Sequence, residues 1–402
     1  MKKKCSIAVI GTGQRGCTYI ELIKNHPQAE LAALCDISEE RLKSFAAEFS
    51  CQDIPQYLSV DELLAKGDFD AAVITSPDFT HLECAKACFR AKKHVMLEKP
   101  MAPTAKECQE IIEESRKNNS ILQVGFVLRC LPLYKEVKRV LDSGECGQLL
   151  SMNFVENIGV MHGASYMRRW HRKSANTGGF LLAKCSHDLD LMNQLAGAYP
   201  VKVCSFGGTD FFTPDKLKVK FCSQCSDDKC RFRFQGEMVK MTPFEKTNPS
   251  LRPFDLCVYN SDKDVVDNQQ VMLEYANGVR ATFSLNLFAP AAKRKWEFVC
   301  SEGYITADSS EKKITVSFSD GREGWSKICK AENNSFHDGS DMLFLDEFVN
   351  CILNGTAPAA DAMAGFATAV IGNAAEKSRQ EGKVVEISPL VFEQGFQESA
   401  GV

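Results

Sequence analysis

The stretch Ser6-Ile7-Ala8-Val9-Ile10-Gly11-Thr12-Gly13-Gln14-Arg15-Gly16 decides how the chain folds. An apolar, β-branched run reads as a strand, the glycines as a tight turn, and the spacing from Cys17 to Lys24 as a helix. A strand running through G-x-G-x-x-G into a helix brings backbone N–H groups and the positive helix end to one place, where a pyrophosphate can sit. Gly11, Gly13, Gln14, Arg15 and Gly16 are therefore expected at a dinucleotide; a bare glycine turn is the alternative. Asp36 closes the next strand, where a carboxylate can accept from an adenosine ribose and repel a 2′-phosphate, so NAD is expected over NADP.

Outward from this stretch, runs at Ala29 to Cys35, Ala71 to Thr75, His94 to Leu97 and Ile121 to Val124 read as further strands. Helical patterns lie between them at Glu39 to Phe49, Val60 to Lys66, Thr80 to Ala91 and Thr104 to Asn118. Alternating strands and helices predict a doubly wound parallel sheet over 1–122. From residue 123 the strands lengthen and alternate: Leu149 to Asn157, Val201 to Phe206, Gln269 to Tyr275, Arg280 to Asn286 and Trp296 to Cys300. Asn277-Gly278 and Asp320-Gly321 look like two-residue hairpin turns. Residues 123–402 are thus expected to form an α+β domain on a large, mainly antiparallel sheet, with a cysteine-rich insertion at 207–257. Its helices are expected at Pro132 to Ser143, His187 to Ala196, Asp341 to Leu353 and Ala362 to Glu381.

Composition narrows the function classes. The 48 Lys and Arg against 52 Asp and Glu leave a net charge of −4, which offers no general attraction for nucleic acid or anionic lipid. No apolar run approaches the roughly 18 residues of a membrane span. Met1-Lys2-Lys3-Lys4 leads straight into the glycine motif, so a cytoplasmic chain is expected, with its 18 cysteines mostly reduced. Cys222, Cys225 and Cys230 form C-x2-C-x4-C, a spacing that lets three thiolates converge on a structural zinc, with Cys257 as fourth ligand and Cys204 as second choice. Free or redox-active thiols are the alternative.

With these residues in view, the sequence resembles the Gfo/Idh/MocA oxidoreductases, two-domain nicotinamide-dependent enzymes acting mostly on sugars and cyclitols. The likeness rests on the glycine turn with Asp36, on Ser76-Pro77-Asp78-Phe79-Thr80-His81 and on Glu98-Lys99-Pro100 after a strand. It continues with Gln123-Val124-Gly125-Phe126 leading to Arg129, and with Gly178-Gly179 preceding His187 and Asp190. It implies an N-terminal Rossmann domain and adds Ser76, Pro77, His81, Glu98 and Lys99 to the cofactor-binding residues, with a cis bond at Pro100. Lys99 then stands at the carboxyl end of a parallel strand, where its ammonium can stabilise alkoxide-like charge as hydride leaves. His187 is the expected base, in the first turn of a helix facing the cleft.

The chain departs from the family at Ala183, where a carboxylate is usual, and at Lys184. That lysine can lower the pKa of His187 or of a substrate hydroxyl, hold an anionic substituent, or face away. Arg129, Arg168, Arg169, Trp170, His171, Lys184 and Asp188 are the expected substrate contacts, since aromatic faces and Arg forks suit a polyhydroxylated ligand. His162 and His337 to Asp341 are weaker polar candidates. The leading expectation is hydride transfer between a sugar or glycoside carbon and NAD. Redox-neutral glycoside cleavage with retained NAD and a non-catalytic NAD-binding regulator are the alternatives. The resemblance implies a homodimer or homotetramer formed through the open sheet.

Overall fold

The computed structural model describes residues 4–215, 217–234, 255–331 and 336–392. In the first half, strands β1 (Cys5–Ile10), β2 (Ala29–Cys35), β3 (Gln56–Tyr57), β4 (Ala71–Ile74), β5 (His94–Leu97) and β6 (Leu122–Val124) form one sheet. Its order is β3-β2-β1-β4-β5-β6, with every pairing parallel. Helices cross over between the strands. Residues such as Val9, Ala71 to Ile74 and Leu97 are fully buried, as expected of a parallel sheet covered on both faces. Strand order reverses between β1 and β4, so the crevice outside Ile10 and Ile74 is the place where such sheets bind ligands. The two-residue β3, too short to show periodicity, was not foreseen, and β6 runs two residues past the expected boundary at 122.

The second half carries a nine-stranded sheet built from β7 (Leu149–Gly159), β8 (Pro200–Gly208), β9 (Asn268–Tyr275), β10 (Arg280–Ala289), β11 (Lys293–Cys300), β12 (Gly303–Asp308), β13 (Lys313–Phe318), β14 (Trp325–Ile328) and β15 (Val385–Glu386). The order is β14-β13-β12-β11-β7-β10-β9-β8-β15. Only β7 with β10 is parallel; the other pairs are antiparallel. The Asn277-Gly278 hairpin is not a two-residue turn. Tyr275 N–H donates to Val279 O, and Gly278 takes φ +86°, which makes a three-residue connection with glycine in the left-handed position. The Asp320-Gly321 hairpin likewise has a longer loop, between Phe318 and Trp325.

Helices Pro132–Ser143, Val160–Tyr166, Phe180–Ala196 and Ala362–Glu381 cover one face of this sheet. The helix bearing His187 begins at Phe180 and not at His187, because Gly178 and Gly179, both at positive φ, turn the chain into it directly. His187 therefore lies in mid-helix, two turns after its start. Among the described residues no helix is long and apolar enough to cross a membrane.

Candidate active site

The glycine turn is shaped by contacts that leave no room for side chains. Gly11 has φ +95°, and a Cβ there would lie 2.6 Å from Ser76 N; a Cβ on Gly16 would lie 2.2 Å from Gly11 O. Gly13 differs, since a Cβ on it meets no protein atom within 4 Å. It is the N-cap of helix Gln14–Asn25 and supplies no side-chain cap, so the first N–H groups of that helix face an open cradle. That arrangement fits a pyrophosphate. Asp36 closes the turn: Oδ2 accepts from Thr12 N–H and from Thr12 Oγ1, both at 2.9 Å, while Oδ1 accepts from Ser38 N–H. Arg41 Nε lies 4.0 Å from the same carboxylate. Ile37 beside it is 92% exposed.

The loops after β4 and β5 form the next wall. His81 is buried, and its ring nitrogens lie 3.0 Å from Ser76 O and 3.0 Å from Pro100 O, fastening the Ser76-Pro77 loop to the turn after Lys99. Burial holds its imidazole below the usual range, against the pull of those carbonyls. The Lys99-Pro100 bond is cis, as the resemblance implied. Glu98 is also buried; it accepts from Arg15 Nε at 2.7 Å and from Lys99 N–H at 3.1 Å. Arg15 reaches on to Asp341 Oδ1 at 2.8 Å, which ties the glycine turn to helix Ser340–Asn354. Its Nε and Nη2 are thus engaged, while Nη1 is buried without a hydrogen-bond partner.

Lys99 Nζ donates to Ala183 O at 2.9 Å. Ala183 and His187 are four residues apart on helix Phe180–Ala196 and share a face, so the amine from one domain and the imidazole from the other meet at one place. His187 is buried, packs edge-on to Phe126 at 6.0 Å, and leaves Nδ1 without a hydrogen-bond partner. Burial, and then the Lys99 charge, push its pKa well below the usual histidine value, so it is a neutral base at neutral pH. Burial also lowers the Lys99 pKa, opposed by Glu98 and Asp78, and raises that of buried Asp78.

Around this pair stands a charge cluster that sequence reading missed. Arg294 on β11 donates to Asp188 Oδ1 at 2.9 Å and pairs with Glu156 Oε1 on β7 at 2.9 Å. Burial raises the Glu156 pKa to about 7 and lowers that of Lys184 to about 8. The signal was legible in strand parity: Glu156 falls in step with buried Phe154 and Ile158, and Arg294 with Trp296 and Phe298, so both charges sit at inward positions. Asp188, expected at the substrate, is engaged by Arg294.

Two other expected contacts are corrected. Arg129 is tied by Nε to Asp190 Oδ2 at 2.7 Å and by Nη1 to Ala359 O, so its guanidinium serves packing between helices. Arg168 is buried, donates to Phe232 O and lies 3.5 Å from Cys222 Sγ, on the side of the cysteine insertion. The rest of the aromatic and basic loop packs on itself around His171, and its Arg172 pairs with Asp262 at 2.7 Å. Trp170 stacks on His171 at 3.7 Å, Tyr166 packs against both His162 and His171, and the charges of Arg169, Lys99 and Lys184 act on His171 after burial has lowered its pKa.

The zinc expectation is also corrected. Cys222, Cys225, Cys230 and Cys257 do line one small cleft, yet among the described residues no group of three or more His, Cys, Asp or Glu is placed to hold a metal ion. Arg168 supplies the reason, since its guanidinium lies against Cys222 where a cation would have to sit, and burial raises the pKa of that thiol. Residues 235–254 of the insertion lie outside the described residues.

Comparison with known proteins agrees with this geometry. The profile described as "Oxidoreductase family, NAD-binding Rossmann fold" matches residues 5–126, and "Oxidoreductase family, C-terminal alpha/beta domain" matches 138–387. The chain is 24% identical over 337 residues to YteT of Bacillus subtilis, an oxidoreductase by name, covering 78% of this chain and 72% of that protein. It is 35% identical over 194 residues to inositol 2-dehydrogenase 2 of Saccharopolyspora erythraea, covering 48% of this chain and 54% of that enzyme, so the match spans about half of that relative. The crystal structure of an oxidoreductase from Agrobacterium radiobacter with NAD+, L-tartaric acid and magnesium superposes with a TM-score of 0.74 at 16% identity, over 96% of this chain and 98% of that one. The chain belongs to the Gfo/Idh/MocA family of NAD-binding oxidoreductases.

Proposed function

We propose that this protein oxidises a ring hydroxyl of a sugar or cyclitol, with NAD as the acceptor. The observation that carries this reading is the junction at Ala183, which brings the Lys99 amine to the helix face bearing His187, beside the crevice of the nucleotide-binding sheet. A bound nicotinamide supplies the hydride acceptor, and the glycine cradle, Asp36, Ser76, Pro77 and the Glu98-Lys99 turn are the residues that would hold the cofactor.

The chain's own groups manage the proton and the charge. His187, neutral through burial, takes the hydroxyl proton, while the Lys99 ammonium donates to the same oxygen as its bond to carbon acquires carbonyl character. Glu98 opposes the effect of burial on the Lys99 ammonium. Trp170, half-buried and stacked on His171, offers an apolar face for ring C–H groups, and fully buried Phe126 backs His187. Asp36 favours NAD over NADP, with Arg41 as the cation that limits the preference. No feature of the described cleft favours redox-neutral cleavage or a purely regulatory role over this reading.

The test is spectrophotometric. The protein with NAD and a panel of sugars, cyclitols and glycosides should yield NADH in stoichiometric proportion to oxidised product. Aglycone release without NADH would replace oxidation by cleavage, and NAD binding with neither signal would favour the regulator. The outward sheet face, where Phe206, Met272, Ile328 and Leu150 are exposed, supports assembly with further copies of the chain.

A further inference from the structure

We propose that the substrate is a polyhydroxylated ring carrying a carboxylate, and that Lys184 is the residue that binds this carboxylate. The inference rests on the oxidoreductase reading above and adds its substrate class. Lys184 follows Ala183, whose carbonyl holds Lys99, and is the one half-buried residue in an otherwise buried stretch of the helix, Leu181 to Asp190. Among the described residues neither lysine has a carboxylate within ion-pair distance.

The groups around Lys184 do not balance it. Across from it, on β7 and β11, Glu156 and Arg294 are paired, and Asp188 on its own helix takes the other side of the same guanidinium. Lys99 and Arg294 repel its charge, and Cys185 on the same helix is a buried thiol whose pKa is raised. Three cations, Lys99, Lys184 and Arg294, thus face two carboxylates, Glu156 and Asp188. Glu98, which faces Lys99, is paired with Arg15, while burial keeps Asp78 toward its protonated form and His171 and His187 neutral. Burial lowers the Lys184 pKa to about 8, with the Lys99 and Arg294 charges acting in the same direction and Glu156 against them.

Lys99 is engaged with the reacting oxygen, which leaves one cation for one negative charge. A carboxylate matches that count, whereas a phosphate dianion would overfill it. A bound carboxylate would also return the Lys184 pKa toward its ordinary value.

The experiment compares matched pairs, hexuronates against the corresponding neutral hexoses, by calorimetric affinity for the NAD-loaded protein and by kcat/KM for NADH formation. Wild type should bind the acid at least about tenfold tighter than its neutral partner, an advantage of the size expected for a charge-assisted contact. Lys184→Met should remove the advantage and Lys184→Arg should keep most of it, with thermal midpoints reporting that both variants fold. Equal or better binding of the neutral partner by wild type, or an acid preference that survives Lys184→Met, overturns the proposal. Discriminating binding without any NADH would leave the anion site standing and refute the oxidoreductase reading.

Discussion

At the scale of single residues, the site depends on two basic groups that burial drives away from their ordinary protonation. His187 is neutral because its buried ring faces Lys99, His337, Arg294 and Lys184, so protonation requires a pH well below the usual histidine value. A base with a lowered pKa stays competent as pH falls, so kcat/KM should hold level through about pH 6.5, the free histidine value, and decline only below it. The depressed Lys99 pKa acts on the other limb, where loss of the ammonium should cut activity below pH 10.5. A pH profile of kcat/KM checks both directions; an acid limb at the ordinary histidine pKa would contradict the buried placement of the base.

Asp36 carries a second prediction at this scale. Its carboxylate fastens Thr12 to the glycine turn and, on the cofactor placement proposed above, also meets the ribose, so Asp36→Ala should reduce the NAD over NADP preference and also loosen the turn. Ratios of cofactor dissociation constants, read beside the thermal midpoint, separate the two effects. An unchanged ratio would place the ribose contact elsewhere.

At the scale of elements, one tight joint sets helix Gln14–Asn25 against the turn that follows strand β1. Gly16→Ala puts a methyl group 2.2 Å from Gly11 O in the unrelaxed backbone. Relief must come from moving the helix, and overpacking of this kind costs about 1–3 kcal/mol. A lower denaturation midpoint together with weaker NAD binding is expected, while an unaltered midpoint would show that the joint is looser than described. The Arg294 junction makes a second element-scale case. Arg294→Met leaves Glu156 and Asp188 buried without their cation, a loss of about 3–5 kcal/mol by the behaviour of buried pairs broken on one side. Urea unfolding measures it.

These joints also show what the sequence could reveal. The strand, glycine turn and helix at Ser6 to Lys24 are legible because local sterics and helix-end chemistry leave few alternatives. Helix Ala105–Lys117 is likewise announced by Thr104 and Glu107, which form a reciprocal capping box. Lys99 and His187 were identifiable as partners through the resemblance, but the Ala183 carbonyl that joins them is a backbone atom and leaves no mark in residue type. Arg129 and Arg168 misled because a guanidinium's partners lie far away in sequence: Asp190 is 61 residues from Arg129, and Phe232 is 64 from Arg168. The four cysteines showed the correct convergence, since they share one cleft, and only the arginine inserted among them changes its chemistry.

At the scale of the whole molecule, two sheets with different exposures divide the work. The parallel sheet is covered on both faces and binds at its carboxyl ends. The second sheet buries one face under helices that carry His187 and Lys184, and presents on the other Phe206, Met272, Leu150 and Ile328. These exposed apolar residues lie on four strands and are the surface through which the proposed assembly would form. A Phe206→Asp, Met272→Asp double variant should lower the mass measured by light scattering without altering the kcat of any remaining protomer's own cleft. A wild-type protein that is monomeric at micromolar concentration would remove this surface from the account.

The central claim is that Lys99 and His187 act on one oxygen while a ring carbon gives up its hydrogen to the cofactor. It is tested most directly by following deuterium from a carbinol-labelled substrate into NADH, with wild type and with Lys99→Met. The account predicts label on the reduced cofactor in wild type, and a rate lower by about 10²–10³ in the variant, the size expected for losing a donor to developing negative charge, with NAD affinity nearly unchanged. Label transfer by Lys99→Met at the wild-type rate, or turnover that leaves the cofactor unlabelled, would contradict it.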